Sequence, residues 1–117
     1  MADFSPGAPA ETFSKGGVIL NPTGALNVII WYASVACTVT AVRGYRVGGD
    51  GATINTRKNG SLTHLATALS VTSADTWMDG GTVQNTAYAV GDKLEIMLVS
   101  ITNSPSQVAI GVDYTQS

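Results

Sequence analysis

The sequence predicts an all-β protein, an antiparallel β-sandwich of about eight strands, and three observations carry that expectation. Val, Ile and Thr supply 33 of the 117 residues, and their branched side chains suit a pleated surface. No window holds the i, i+3, i+4, i+7 spacing of an amphipathic helix over ten residues. Turn signals recur at short intervals: Asn21-Pro22-Thr23-Gly24, Gly48-Gly49-Asp50-Gly51, Asp79-Gly80-Gly81, Gly91-Asp92 and Asn103-Ser104-Pro105. Strands cut that short make a sandwich or barrel, and a parallel α/β sheet is excluded. A chain of this length forms one domain.

Residues 1–16 read as an N-terminal arm and residues 17–117 as the sandwich. Pro6, Gly7, Pro9 and Gly16 interrupt the arm, which has no sustained periodicity. It nevertheless holds Phe4 and Phe13, which a solvated tail does not need. Two readings stand level: an arm that orders on a partner, or a tail whose Phe13 tucks onto its own domain. Leu26 to Ala33 is apolar on both faces, so it should be a strand covered on two sides. One cover is the core and the other is a neighbouring subunit, with Ile29 and Trp31 at the contact. Along 37–47 parity puts Cys37, Val39, Ala41, Tyr45 and Val47 on the apolar face and Thr38, Thr40 and Arg46 on the other.

Asn59-Gly60 is the preferred pair for a two-residue type I′ hairpin. That turn sets Lys58 opposite Ser61, Arg57 opposite Leu62, Asn55 opposite His64 and Ile54 opposite Leu65. Ile54 and Leu65 then share the core face, while Asn55, Arg57 and His64 lie outside, where they would meet a second protomer. The stretch from His64 to Ala74 is the one place where a helical turn competes. Further on, Leu94, Ile96 and Leu98 alternate with Lys93, Glu95 and Met97, and Val108, Ile110, Val112 and Tyr114 with Ala109, Gly111 and Asp113. Both are half-buried strands.

Chemistry is sparse, and the expectation is a protein that is not an enzyme. A Ser-His-Asp triad would have to use His64, the single histidine, and the hairpin gives it Asn55 and Arg57 as companions. A cupin-like metal site needs several histidines. Asp75, Asp79 and Asp92 lack the dense spacing of a calcium loop and read as turn residues. The glycines of 48–51 lead into a strand, so they do not open a phosphate loop. Glu11 and Glu95, the two glutamates, are not placed as a glycosidase pair. No cofactor is expected. Cys37 stands alone, which rules out an intrachain disulfide and gives it the part of a small buried side chain.

Only 12% of residues are charged, against about 25% in ordinary soluble domains, and the mean hydropathy is +0.20. A solitary domain uses charge to stay wet and apart from its neighbours. This one should therefore hide part of its surface against partners or copies of itself. The net charge is −2 and the basic residues form no stripe, so nucleic acid is not an expected partner. The longest apolar run, Val28 to Ala33, is too short to span a bilayer. The first residues lack the basic and apolar regions of a signal peptide, so synthesis and folding in a cytoplasm are expected.

Several stretches together resemble a family of small phage virion domains with a jelly-roll-like fold. They are Cys37-Thr38-Val39-Thr40, Gly51 to Gly60, Thr76-Trp77 with Asp79-Gly80-Gly81, Ala89 to Leu94, and the closing Val108 to Tyr114. The resemblance spans about residues 17–116. It implies a homotrimer and carries no catalytic residues. Such domains serve as capsid decoration (cement) proteins or within fibres, and a chain with no long shaft favours decoration. The expected partners are then sister copies and the major capsid protein, on the outer surface of the virion. Phe4, Pro6, Pro9 and Phe13 would anchor the arm to the capsid. The alternative is a fibre tip that grips a host glycan, with Trp77, Tyr88 and the loop around Asp50 as stacking and binding groups. Core packing is the first expectation for Trp77.

Overall fold

The computed structural model describes residues 11–116, and every residue in a regular element there belongs to a strand. Six long strands build the body: β1 (Thr12–Leu20), β2 (Leu26–Tyr32), β3 (Cys37–Val47), β4 (Gly51–Lys58), β9 (Lys93–Thr102) and β10 (Gln107–Gln116). Four short ones, β5 (Leu62–Thr63), β6 (Leu69–Val71), β7 (Met78–Asp79) and β8 (Ala87–Tyr88), complete a set of ten. One antiparallel sheet runs β1-β10-β3 and then β7 and β8; the other runs β2-β9-β4 and then β5 and β6. The two pack face to face as a β-sandwich, with β1 over β2 and with β10 and β3 over β4. Between His64 and Ala74, where a helical turn competed with strand, there is no helix, and Leu69–Val71 is strand β6.

Where alternation is unbroken, the expected faces hold. Leu94, Ile96 and Leu98 meet Val108, Ile110 and Val112 in the core. Ile54 and Leu65 are both buried, although the register expected to set them opposite each other does not hold.

Where a strand bulges, the parity fails. Asp113 pairs with Ala41 but Tyr114 with Val39, so Thr40 is an extra residue in β3. Beyond it the inward set changes from odd to even: Val42, Gly44 and Arg46 are buried, while Ala41, Tyr45 and Val47 turn outward. Arg46, expected outside, is therefore inside. Its Nε donates to the Val71 carbonyl (3.0 Å), one terminal nitrogen to Gly48 (2.6 Å) and Gly49 (2.8 Å), and the other to Thr72 (3.0 Å). Four carbonyls clamp two loops onto the end of β3 and answer the burial of the guanidinium.

The hairpin departs from expectation in a similar way. Asn59 and Gly60 take the positive φ values of 54° and 78° that a type I′ turn needs, and Ser61 N–H donates to the Lys58 carbonyl. Yet Lys58 pairs with Leu62 and Arg57 with Thr63, leaving Ser61 unpaired. The turn is also tied sideways. Asn59 N–H donates to the Lys93 carbonyl, and the Asn59 side chain accepts from Lys93 N–H and donates to Asp92. One extra residue exchanges the faces of everything after it.

The arm boundary also moves. Residues 12–16, assigned to the arm, lie within β1, hydrogen-bonded along β10 from Thr12↔Thr115 onward. Phe4, Pro6 and Pro9 lie outside the described residues.

Candidate functional site

The residues expected at a partner surface are scattered by the fold. Phe13 stacks on Tyr114 with ring centroids 5.5 Å apart, so its ring packs on its own domain. Trp31 is half-buried, 5.0 Å from the Tyr114 ring and 6.2 Å from Tyr88, filling one end of the gap between the sheets. A bulge between Ile29 and Trp31 lets Ile30 and Trp31 both pack against the core.

His64 is a correction to the expected outer position, because the shifted hairpin turns its ring into the core, where it has 0% exposure. Nδ1 lies 2.9 Å from Thr56 Oγ1 and Nε2 3.2 Å from the Tyr88 hydroxyl, with the Tyr88 ring stacked alongside. Burial holds its pKa down to about 4, and the nearby Lys58 adds to the depression. The same burial pushes the Tyr88 phenol well above its ordinary value. Asn55 is likewise buried against its own chain. Its amide donates to the Leu65 carbonyl and accepts from Leu65 N–H, taking the place of a missing strand pair. Arg57 stays on the outer face, tied by Nε and a terminal nitrogen to Glu95 at 2.7 and 3.1 Å. Of the expected interface set, Ile29 alone is an uncommitted exposed side chain, at 60%.

Ile29 belongs to a larger feature, the flank formed by β1 and β2. Both are terminal strands of their sheets, nine and seven residues long. β2, Leu-Asn-Val-Ile-Ile-Trp-Tyr, holds no charged residue, and β1 holds only Lys15. Val18, Leu20, Leu26, Ile29 and Tyr32 are all exposed there. The opposite flank is made of β5 to β8, pieces of two or three residues. Short edges give a neighbouring chain little to pair with, whereas long uncharged ones are templates for association.

A second feature lies on the outer face of the first sheet. Gly16, Gly111, Arg43 and Asp79 form one row across β1, β10, β3 and β7. The glycine pair leaves a bare stretch between the Ser14–Asp113 row and the Val18–Ala109 row, and the result is a groove of about 590 Å³. A β-carbon on Gly16 would lie 2.8 Å from the Ile110 carbonyl oxygen, and one on Gly111 2.9 Å from that of Lys15. Side chains are kept out of the floor by this close approach. Trp77 forms a wall; it is 56% exposed, against the expectation of core packing, and is braced by Tyr45 with ring centroids 5.1 Å apart. Arg43 at the rim donates to Asp113 at 2.9 and 3.1 Å and lies 3.3 Å from Asp79. Ser14 donates to the other Asp113 oxygen.

The remaining candidates serve the fold. Tyr88 is buried, and the Asp50 side chain accepts from Asn103. Asp92 accepts from Asn59 and from Ala89 N–H, which hold its carboxyl below the ordinary range. Burial raises the Cys37 thiol, with Asp92 adding to the effect. Among the described residues no three His, Cys, Asp or Glu side chains converge where a metal ion could sit, and no helix is long and apolar enough to cross a membrane. Comparison with protein-family models, curated proteins and solved structures finds no match to this chain.

The groove is legible in the sequence only in part: Trp77 stands out as an aromatic with core packing as its first expectation and sugar stacking as the alternative, but its companions Arg43, Asp113 and the glycine pair carry no signal. They come together only through the register of three strands.

Proposed function

We propose that this chain is a structural, non-catalytic virion protein that associates with copies of itself and decorates the outer surface of a phage head. The observation that carries the proposal is the unequal pair of flanks. Two long, nearly uncharged edge strands with exposed Leu26, Ile29 and Tyr32 call for a cover, and sister copies supply one of matching chemistry. The resemblance in sequence points to three copies and to the major capsid protein as the surface beneath them. Strand order supports a jelly roll: β1 to β4 alternate between the sheets, as do β8 to β10, and β1-β10-β3 lies over β2-β9-β4 with short strands closing each sheet. Many modest contacts, each repeated in every copy, then combine through multivalency to hold capsid subunits together.

The test mixes the purified protein with undecorated capsids and counts bound copies. Stoichiometric binding with a rise in the particle's disruption temperature is expected, and no binding to the cognate head overturns the reading. Removing residues 1–10, which spares all of β1, is expected to abolish capsid binding and leave the oligomer intact. Unchanged binding would remove Phe4, Pro6 and Pro9 from the contact.

A second reading, a fibre tip that recognises a host glycan, is favoured by one observation, the exposed Trp77 beside the groove. Copy number per particle separates the two: hundreds for a decoration protein, few for a fibre tip.

A further inference from the structure

We propose that the glycine-floored groove on the outer face of the first sheet binds a neutral pyranose. The inference rests on the glycan reading above; the groove borders the flank along β1, and the test reads sugar binding apart from the association of copies.

Three observations lead to it. Trp77 offers a broad aromatic face to solvent, and it is held there. Its loop is pinned by Asp75 N–H to the Arg46 carbonyl and by Gly80 N–H to the Val42 carbonyl, and the indole rests on Tyr45. A large aromatic ring fixed in the open has an apolar face and no loss of freedom still to come when a ligand packs on it. Second, the floor is bare backbone at Gly16 and Gly111, so a flat ring can approach the sheet closely. The volume, about 590 Å³, falls in the ordinary range of small-molecule sites.

Third, the rim selects the chemistry. Arg43 shares its guanidinium with Asp113 and Asp79, leaving N–H groups beyond those engaged, while both carboxylates and the Ser14 hydroxyl keep spare acceptor positions. Adjacent ring hydroxyls each donate and accept, and they match such a mixed rim. The Arg43 guanidinium is already balanced by Asp113 within the groove and by Asp79 beside it, which disfavours an anion. Lys15, the one cation of β1, turns its ammonium toward Trp31, 6.0 Å from that ring. Both carboxylates are engaged by Arg43, which disfavours a free cation. A neutral polyol with an apolar C–H face fits the wall, floor and rim together.

The test titrates the intact protein with methyl glucopyranoside, galactopyranoside and mannopyranoside while backbone amide and indole NMR signals are followed. The range extends to about 50 mM, since single-sugar affinities are weak. At least one sugar is expected to shift the Gly16, Gly111 and Trp77 signals in a saturable way. Trp77→Ala is expected to weaken binding at least about tenfold, a loss of about 1.4 kcal/mol, while Ile29→Ser on the opposite sheet leaves it unchanged. Several results overturn the proposal: no saturable shift with any neutral sugar, shifts that survive in Trp77→Ala, or binding of sialyllactose or choline in preference to the neutral probes. Concentration-dependent shifts of Gly111 and Trp77 without sugar do so too, because these two lie away from the flank and would mark the groove as a contact between copies. Loss of the folded spectrum in Trp77→Ala is answered by Trp77→Phe, which keeps an aromatic face and is expected to retain measurable binding.

Discussion

His64 shows how far a single side chain depends on register. Inside the sandwich it is a neutral ring held between Thr56 and Tyr88, and burial lowers its pKa from 6.5 to about 4. The unfolded chain takes up a proton near 6.5 while the folded chain refuses it until about 4. The unfolded state therefore binds more protons across that window, and stability rises with pH through it. The contribution is complete above pH 6.5 and is lost as the pH falls toward 4. Urea midpoints measured from pH 6.5 down to 4.5 are expected to fall, by up to roughly 2–3 kcal/mol in free energy. His64→Phe should be less stable at neutral pH and nearly flat over the same window. An equal slope in both proteins would show that the ring does not govern the acid response. Arg46 makes a different point at this scale, because its burial is satisfied by four carbonyls and no carboxylate.

At the scale of elements, one extra residue separates what could be read from what could not. Strand β10, and β9 as far as Leu98, were legible because their alternation is unbroken there: Leu94, Ile96 and Leu98, then Val108, Ile110 and Val112, point inward as parity demands, and only beyond Leu98 does β9 carry an extra residue, Val99. Strand β3 was legible only as far as Thr40. Its bulge depends on the pairing with Asp113 and Tyr114, about seventy residues away in sequence, so no local pattern marks it. The hairpin was legible in its turn residues and not in its length. Asn59 and Gly60 behave as their chemistry requires, but tethering of Asn59 to Asp92 and Lys93 accompanies a third loop residue. Because Lys58 already faces Leu62, deleting Ser61 should close the hairpin to two residues without moving any later side chain. The variant is expected to keep His64 buried and to change stability by less than about 1 kcal/mol, as read from its urea midpoint and the Tyr88 signals. Unfolding on deletion would mean that Ser61 itself supports the register. Strand β2 was read as covered on both faces, and a single chain covers only one. For the candidate groove, Trp77 could be picked out as a residue type, but the glycine floor and the Arg43–Asp113 rim come from cross-strand pairing.

For the whole molecule, the low charge content and the exposed flank are two views of one property. The body is elongated, 51 × 26 × 22 Å, with the nearly uncharged edge strands β1 and β2 collected on one flank. Ile29→Lys places a charge on that side at a position already 60% exposed, so it should leave the fold stable to within about 0.5 kcal/mol. Self-association measured by sedimentation equilibrium is expected to weaken at least about tenfold, through desolvation of the new ammonium. Unaltered association would move the contact away from β2. An unassociated wild-type chain at high concentration would remove self-association from the proposed function.

The fragmented far side has a consequence for growth. A molecule with a pairing seam on both sides can recruit the next copy indefinitely, as stacked strands do in fibrils. Here β5 to β8 present no stretch longer than three residues. Once the long seam is occupied, edge pairing has nowhere further to propagate. Copies can close on one another in a small finite cluster, and a filament built by adding strand to strand would stop at its first joint.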